Sequence, residues 1–442
     1  MEKNQKSIRS IAKKLFTPVC GVVTPGNEKL FRTIKEILPV KVHQYKSGAK
    51  YNGWIIPNSW EVKKAKVYLD GCEVFDGTNH PLGVASYSKS FSGTLNWEKL
   101  KKHVHTRPDV PNAYGYHCMW QYRPWDRDWC LCVPHNVFKK WPKNGTFHID
   151  LQTDEKSGFM KVAEYHLAGK SKKTFVINAH TCHPRQANDD IVGIAVAIKL
   201  FLELRKNKNF FSYKLILGPE HLGTVFYLSE LPEKKRQNIK GGYFLEMPGT
   251  EYPLKFTSSF LGDQAVDHAL KYAVKNIGAA YSQVSWRCGA GNDETVWEAP
   301  GYEIPFVELS RCNKTFSPFR EYHTSQDTLE NIKWENVKIF ENCIKKTLKT
   351  LENDKRYKRN FIGLPCLSNP LYNLYLERKD PSVKKKITKE REKWGYLADS
   401  LLRYFDEKTS VNEIAERHQV CLKKLTKYLK RFEKLNLIKE IK

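Results

Sequence analysis

The sequence contains no apolar run of about 18 residues or more, which is the length that a membrane-spanning helix requires. Its first segment, MEKNQKSIRSIAKKLF, is basic and amphipathic and lacks the continuous apolar core of a secretory signal. The 11 cysteines are scattered, with no pair of CxxC units. This spacing argues against a disulfide scaffold and against a structural zinc ribbon. These absences predict a cytoplasmic protein with reduced thiols and no membrane partner.

Acidic residues are fewer than basic residues in this sequence. The chain has 48 aspartates and glutamates against 74 lysines and arginines, a formal net charge of +26. Such a balance favours polyanionic partners such as nucleic acid. The lysines, however, occur in every segment and do not cluster, which is typical of a lysine-rich solvated surface. Nucleic acid is therefore a possible partner that the sequence does not favour.

The 442 residues, of which 40% are hydrophobic, are enough for two or three folded domains. Residues 1–48 are predicted to be helical and to belong to the later α/β domain. Residues 49–168 carry short alternating runs separated by Asp-Gly and Asn-Gly turns, which predict a small nested β-rich domain. From 169 to 355 strands and helices alternate. This alternation predicts a three-layer α/β domain with a mixed, largely parallel sheet.

The end of the chain differs from this α/β segment. Residues 356–388 bear lysines and prolines and are predicted to form a linker. In residues 389–442 the apolar positions recur at helical spacing, and Ser410 with Glu413 forms a capping box. Three helices of this kind resemble a helix-turn-helix or winged-helix unit. DNA contact is one interpretation; protein docking or dimerisation, hence a homo-oligomer, is the preferred alternative.

Potential metal ligands follow several predicted strands. The stretch from Thr174 to Leu200, TFVINAHTCHPRQANDDIVGIAVAIKL, is predicted to be a strand, a polar loop and a helix. Ligands bind at such loops in α/β sheets. Histidines and acidic residues in this loop and near the ends of later strands are His180, His183, Asp189, Glu220, Glu246, Asp293 and His323. Histidine and carboxylate together suit zinc, so these strand ends predict a zinc site.

A second unusual segment lies within the predicted β-rich domain. Between Tyr114 and Trp129 the sequence is crowded with tryptophan, tyrosine and arginine. Such side chains offer large contact areas with polar groups at their ends. Tyr114 and Arg123 are therefore candidates for substrate binding, and an irregular aromatic core is the alternative. We expect the segment to close over the zinc site.

The order of these motifs resembles that of the co-catalytic zinc aminopeptidases. More closely, residues 40–370 resemble a bacterial family of aminopeptidase-like zinc hydrolases. That family has a small β domain nested before the catalytic strand and a winged-helix-like domain at the end. The resemblance is carried by WIIPNSW, HTRPDVPNAYGY, CHPRQANDDIVGI, GPEHLG and EYHTSQDTLENI.

The resemblance implies a role for each strand-end residue. Asp189 would bridge the metals, Glu246 would be an acidic ligand where aspartate is usual, and His323 would be the late histidine ligand. His180 fits the first histidine by its position after the strand. His183 fits as part of the Cys-His-Pro element, and it is the preferred first ligand.

Two departures from the aminopeptidase pattern affect the metal count. Cys182 stands where those enzymes carry an aspartate. Glu220 is followed by His221 where those enzymes have two adjacent glutamates. The cofactor is therefore expected to be one or two zinc ions.

The implied function is zinc-dependent hydrolysis of an amide bond in a peptide or an N-acylated small molecule. Metal-bound water is the expected nucleophile and Glu220 the general base. Glu246, Asp293 and Glu294 are the candidates for binding a substrate amine. A metal-dependent deacylase of a sugar or metabolite is one alternative. The other is a non-catalytic peptidase-like binding protein whose last domain contacts nucleic acid.

Overall fold

The structure is a computed structural model that describes residues 7–313, 318–376 and 388–441. The described residues divide into two compact units, unit 1 from Met1–Gly262 and Ala279–Glu341 and unit 2 from Asp263–Gly278 and Asn342–Lys442. The helices are α1 Ile8–Phe16, α2 Pro25–Ile37, α3 Trp97–Leu100, α4 His135–Phe138, α5 Val192–Leu204, α6 Leu222–Glu230, α7 Glu233–Arg236, α8 Ala265–Lys275, α9 Glu294–Trp297, α10 Trp334–Glu352, α11 Lys389–Leu401, α12 Val411–Arg417 and α13 Leu422–Lys434. None of the described helices combines the length and apolarity that crossing a membrane demands.

The strands divide among several sheets. In chain order they are β1 Lys41–Lys46, β2 Lys50–Tyr51, β3 Trp54–Ile55, β4 Ser59–Leu69, β5 Cys72–Asp76, β6 Phe91–Asn96, β7 Val104–His105, β8 Leu131–Cys132, β9 Thr146–Lys156, β10 Phe159–Leu167, β11 Thr174–His180, β12 Ser212–Gly218, β13 Ile239–Leu245, β14 Leu254–Thr257, β15 Tyr281–Val284, β16 Phe306–Ser310, β17 Arg356–Arg359, β18 Asp406–Ser410 and β19 Ile438–Ile441. The largest sheet has eight strands in the order β1-β10-β12-β11-β13-β16-β14-β15, all in unit 1. Strands β12, β11, β13 and β16 run parallel to one another, as do β14 and β15. The remaining neighbours are antiparallel, and the predicted α/β class with a mixed, largely parallel sheet is confirmed.

Strand β11 lies between β12 and β13 in the large sheet. Every residue of this strand, TFVINAH, is buried, as expected for a strand covered on both faces of a parallel sheet. Helix α5 follows in the chain and is buried on nearly all sides, because its residues are apolar all round. The polar loop between the two elements is therefore held at both ends by buried structure.

The second sheet of unit 1 is antiparallel, with the order β5-β4-β9-β6. Phe147, Ile149 and Leu151 of β9 are fully buried and alternate with more exposed residues, the pattern of a half-buried strand. Strands β1 and β10, which precede and follow this sheet in the chain, pair with each other in the large sheet. The small sheet is thus inserted between two neighbouring strands of the large one.

The predicted range of the small domain, 49–168, differs from the structure at its end. Strand β10 lies within that range but pairs with β1 and β12 of the large sheet. The sequence pattern marks β10 as a strand but does not tell which sheet the strand joins.

Unit 2 contains a three-stranded antiparallel sheet in the order β18-β17-β19. Helices α11, α12 and α13 supply its apolar core, which includes Leu397, Ile414, Leu425 and Phe432. Helix α12 begins after Ser410, whose Oγ accepts a hydrogen bond from the Glu413 backbone N–H at 3.1 Å. The predicted cap is therefore present.

The predicted linker, 356–388, also differs from the structure. Its first residues form strand β17, the central strand of the three-stranded sheet. Tyr357 is the one apolar residue of this strand and is 2% exposed. A four-residue strand with three basic residues carries too little pattern for prediction. Residues 377–387 of the predicted linker lie outside the described residues.

Candidate metal centre

The candidate ligands lie at one edge of the large sheet. His180 ends β11, Glu220 follows β12 and Glu246 follows β13. These three strands are parallel neighbours, so their carboxyl ends meet at the same edge. Asp189, in the turn before α5, and His323, in a loop after β16, complete the group.

Asp189 is the centre of the cluster. Its Oδ1 lies 3.0 Å from His180 Nε2, and its Oδ2 lies 3.4 Å from His183 Nδ1. His323 Nε2 lies 3.2 Å from the same Oδ2. Asp189 itself is 2% exposed. One buried carboxylate therefore lies within 3.4 Å of three histidines.

Two sets of three ligand atoms converge on this carboxylate. His183, Asp189 and His323 form one set, and His180, Asp189 and Glu246 form the other; within each, the ligand atoms lie within 4.8 Å of one another. His180 and His183 thus belong to different sets, and both contact Asp189. A further group of the same kind joins His180, Cys182, His183 and Glu220.

Several polar atoms of the cluster are buried without a hydrogen-bond partner among the described residues. They are both ring nitrogens of His183, Asp189 Oδ2, Glu246 Oε1 and His323 Nε2. Buried polar atoms in folded proteins are nearly always paired, because an unpaired one costs desolvation energy. Imidazole nitrogens and carboxylate oxygens are the ligands that zinc takes in catalytic sites. The donor set therefore fits a bound metal ion.

The charges in the cluster also favour a cation. Burial lowers the pKa of His183, but the charges of Asp189 and Glu220 outweigh burial and raise this pKa well above its ordinary value. Burial, together with repulsion from Glu308 and Asp189, raises the pKa of Glu246 well above its ordinary value. A positive charge between these carboxylates would relieve their repulsion, and a metal ion held there would supply it.

Hydrogen bonds to Asp327 fix the turn that carries Asp189. Asp327 accepts hydrogen bonds from the backbone N–H groups of Asn188, at 2.8 Å, and Asp189, at 3.0 Å. The next residue, Asp190, is turned away toward α5. A Cβ at Gly193 would lie 1.9 Å from Asp190 Oδ1, so only glycine leaves room for this side chain.

Glu220 lies beside the cluster and is held at both oxygens. Tyr122 donates its hydroxyl group to Oε1, and the Asn292 side-chain amide donates to Oε2 at 3.1 Å. His183 Nε2 is 3.5 Å from Oε1. Burial raises the pKa of Glu220, but His183 lowers it further by charge and hydrogen bonding, so the net shift is downward. The group is therefore an ionised carboxylate with a fixed orientation.

The aromatic segment lies against the cluster, as the sequence predicted. The Tyr116 ring is 5.2 Å from the His183 ring and 5.1 Å from the His323 ring, and its backbone N–H donates to His323 O at 2.8 Å. The segment also forms one wall of a cleft of about 690 Å³. Its residues in the cleft are Cys118, Met119, Tyr122, Arg123 and Trp125, and the same cleft is lined by Asp189, Glu220, Glu246, Asn292 and His323.

Of the predicted site residues, five form the cluster, two line the cleft beside it, and two do neither. His180, His183, Asp189, Glu246 and His323 form the cluster, and Glu220 and Arg123 line the cleft. Tyr114 and Asp293 are not among the described residues that line it. Tyr114 stacks on His80 with ring centroids 5.0 Å apart. Asp293 accepts hydrogen bonds from the His221 backbone N–H and the Thr224 hydroxyl.

Sequence reasoning missed Tyr122 and Asn292, which hold Glu220. Asn292 directly precedes the predicted Asp293 in GAGNDE, and of these two described neighbours only Asn292 lines the cleft. Tyr122 lies inside the aromatic segment that was singled out. The only signal for either residue was this proximity in sequence.

Three comparisons relate this chain to known proteins. Residues 9–354 match the model of a family described as "Domain of unknown function (DUF4910)". A Clostridium acetobutylicum protein, provisionally named a polysaccharide biosynthesis protein with an aminopeptidase-like domain, is 26% identical over 355 residues, 79% of each chain.

Two solved structures share the fold. One, from Clostridium acetobutylicum and provisionally assigned as a peptidase, has a TM-score of 0.79 at 23% identity, covering 99% of this chain and 97% of the other. The zinc aminopeptidase of Bacillus subtilis has a TM-score of 0.58 at 14% identity, covering 78% and 94%. The aminopeptidase-like fold that the sequence predicted is confirmed.

Proposed function

The chain belongs to the DUF4910 family, and from its buried cluster we propose that it is a zinc-dependent hydrolase of aminopeptidase type. It cleaves an amide bond in a peptide or an N-acylated small molecule. The observation that carries this proposal is Asp189, a buried carboxylate shared by two sets of potential metal ligands. The aminopeptidase-like name of the Clostridium relative and the fold of the Bacillus zinc aminopeptidase support it.

The cluster would hold two zinc ions. His183, Asp189 and His323 would hold one ion, and His180, Asp189 and Glu246 would hold the other, because Asp189 belongs to both sets of potential ligands. Zinc bound there supplies a Lewis acid that polarises a carbonyl group and lowers the pKa of water. Asp327 fixes the backbone at Asp189 and so keeps the bridging carboxylate in place.

Glu220 carries the proton. It lines the cleft beside the cluster, with Oε1 3.5 Å from His183 Nε2, so it lies within reach of water at the proposed metal centre, as a general base must. It takes a proton from the attacking water and returns it to the departing nitrogen. Tyr122 and Asn292 each donate to one of its oxygens, which orients the carboxylate toward the substrate.

The C-terminal part of unit 2 is proposed to be a winged-helix-like domain. The support is its order of elements: helices α11, α12 and α13 with the antiparallel sheet β18-β17-β19. Helix α13 carries lysines and arginine along LKKLTKYLKRFEK. Its preferred role is docking or dimerisation, with nucleic-acid contact as the alternative. The cytoplasmic location and the oligomeric state stay predictions.

Metal analysis tests the proposed function. The purified chain should contain zinc at one to two ions per molecule, and chelation should stop its hydrolysis of aminoacyl or N-acyl amides. His183→Ala and His180→Ala should each lower the zinc content, because each removes a ligand from one of the two sets. His148→Ala, an exposed histidine of the small sheet, is the matched control and should keep it. A zinc content near zero, or turnover that survives chelation, contradicts the proposal.

A further inference from the structure

The cleft offers no spare carboxylate for a substrate amine. A peptide with a free N-terminus brings an ammonium group, which needs a negatively charged partner when it is removed from water. Among the described residues, the acidic side chains that line the cleft are Asp189, Glu220 and Glu246. Two of them belong to the proposed metal centre, and Glu220 is the proposed base.

The other acidic residues near the cleft are already engaged. Asp293 accepts from the His221 backbone N–H and the Thr224 hydroxyl. Glu294 accepts the backbone N–H of Asn292 at both oxygens, at 2.9 and 2.8 Å. Neither side chain lines the cleft within the part of the chain that the structure describes. An ammonium group in the cleft would therefore find no free carboxylate among the residues that the structure describes.

Asn292 presents a neutral acceptor at the same place. It lines the cleft and is 7% exposed. Its Nδ2 donates to Glu220 Oε2 at 3.1 Å and to Glu246 Oε2 at 3.4 Å. These two carboxylates fix the amide orientation, because a flipped amide would set oxygen against oxygen. The remaining atom, Oδ1, is buried and has no hydrogen-bond partner in the described structure, and it fits an uncharged amide N–H.

The aromatic segment brings into the same cleft a cation that has no ion-pair partner among the described residues. Arg123 lines the cleft and is exposed, and its guanidinium makes no ion pair with any described residue. Trp125, 63% exposed, and Met119, 46% exposed, line the same cleft. A guanidinium next to apolar surface binds planar anions such as carboxylate, or phosphate, through paired hydrogen bonds.

Resting on the proposed function, we infer that the substrate is an anionic N-acylated compound, a secondary amide that lacks a free amino group next to the scissile bond. Asn292 Oδ1 accepts the amide N–H, and Arg123 pairs with a carboxylate or phosphate elsewhere on the molecule. In hydrolysis, the water oxygen bonds to the acyl carbon as the carbon–nitrogen bond breaks. Glu220 passes one water proton to the nitrogen, which leaves as an amine; the other stays on the acyl product, a carboxylic acid that then releases it to solvent.

Matched substrates test this inference on the zinc-loaded full-length protein. N-acetyl-L-phenylalanine and its uncharged carboxamide differ by a carboxylate, and N-acetylglucosamine 6-phosphate and N-acetylglucosamine differ by a phosphate. L-phenylalaninamide brings a free ammonium. We expect kcat/KM at least tenfold higher for the charged member of one pair, and lowest for phenylalaninamide. The pair that responds identifies the anionic group.

Variants connect the charge preference to the cleft. Arg123→Gln should abolish the preference by raising KM for the charged compound, with kcat nearly unchanged. Arg205→Gln is the matched control, because Arg205 is an exposed arginine at the end of α5 and does not line the cleft. Preference for phenylalaninamide, or a charge preference that survives Arg123→Gln, overturns the inference.

A binding measurement separates failure of this inference from failure of the proposed function. If phenylalaninamide is hydrolysed best, the hydrolase proposal stands and the inference fails. If no compound is hydrolysed, the hydrolase proposal fails, and calorimetric titration of both charged compounds into wild type and Arg123→Gln decides the inference. Tighter binding to wild type by at least tenfold supports it; equal affinities, or no binding, overturn it.

Discussion

Replacing Tyr122 with phenylalanine tests how Glu220 is held, because the substitution removes a single hydroxyl group. That hydroxyl donates to Glu220 Oε1, while Asn292 holds Oε2. A hydrogen bond to a charged group contributes about 1.5–3 kcal/mol, and about 1.4 kcal/mol corresponds to a tenfold change in rate. We therefore expect kcat of Tyr122→Phe to fall by about 10- to 150-fold.

The assay is steady-state hydrolysis of the best amide substrate by the zinc-loaded variant, with zinc content measured on the same sample. KM should change little, because the lost hydroxyl contacts Glu220 and is not assigned to the substrate. Tyr68→Phe is the matched control. Tyr68 lies in β4 of the small sheet, with its ring 6.2 Å from that of His148, and does not line the cleft. This control should keep wild-type kcat.

Two results would refute the reasoning. A kcat for Tyr122→Phe within about twofold of wild type, with zinc retained, would mean that the hydroxyl does not orient the base. If the variant lost zinc as well as activity, the residue that Tyr122 holds, Glu220, would be a metal ligand. Glu220 could then not be assigned as the proton carrier.

Three further predictions concern acidic side chains. Glu220→Gln should abolish turnover while zinc remains, since an amide cannot accept the proton; loss of zinc would make Glu220 a ligand. Asp327→Ala should weaken zinc binding by about 10- to 100-fold in a chelator-competition titration, because both N–H groups at the Asp189 turn lose their acceptor; Asp154→Ala on the small sheet is the control. Burial raises the pKa of Glu164, but the hydrogen bond from His43 and the charge of Lys214 lower it further, from 4.5 to about 2. The resulting stabilisation is present above pH ~4.5 and is lost as the pH falls toward 2. Urea unfolding of wild type and Glu164→Gln should therefore differ most at pH 7 and converge near pH 2; a constant difference contradicts this sign.

The elements around the centre could be predicted because their patterns are long and unmixed. Strand β11 is buried along its whole length, and α5 is apolar on all sides, so the switch from one pattern to the other is visible in sequence. Strand β17 shows the opposite case. Its four residues include one buried side chain, Tyr357, and its partners, β18 and β19, follow about 50 to 80 residues later. Strand pairing over that sequence separation is not visible in the local sequence of β17.

The metal cluster was easier to predict than the cleft because the two depend on different information. Parallel strands bring their ends to one edge whatever the side chains do, so Glu220 and Glu246 could be placed from strand order. Which residue of a loop faces the cleft depends on backbone turns. Asn292 and Asp293 are neighbours, yet one lines the cleft and the other bonds to Thr224 beneath it. Residue type alone favoured the aspartate, since a carboxylate suits a substrate amine.

His180 and His183, the two histidines of the His-Thr-Cys-His loop, were predicted as alternatives for one ligand position. The sequence could not decide between them, because each can be a ligand in its own set. In the structure His180 contacts Asp189 Oδ1 and His183 contacts Oδ2. The resembled aminopeptidases use a second glutamate as a ligand, and here His221 stands at that place. His183 forms a set of potential ligands with Asp189 and His323. It can therefore supply the ligand atom that is lost with the second glutamate. On the proposed function, the chain therefore keeps enough donors for a second ion, and His183→Ala should lower the zinc content by one ion while the set of His180, Asp189 and Glu246 retains the other.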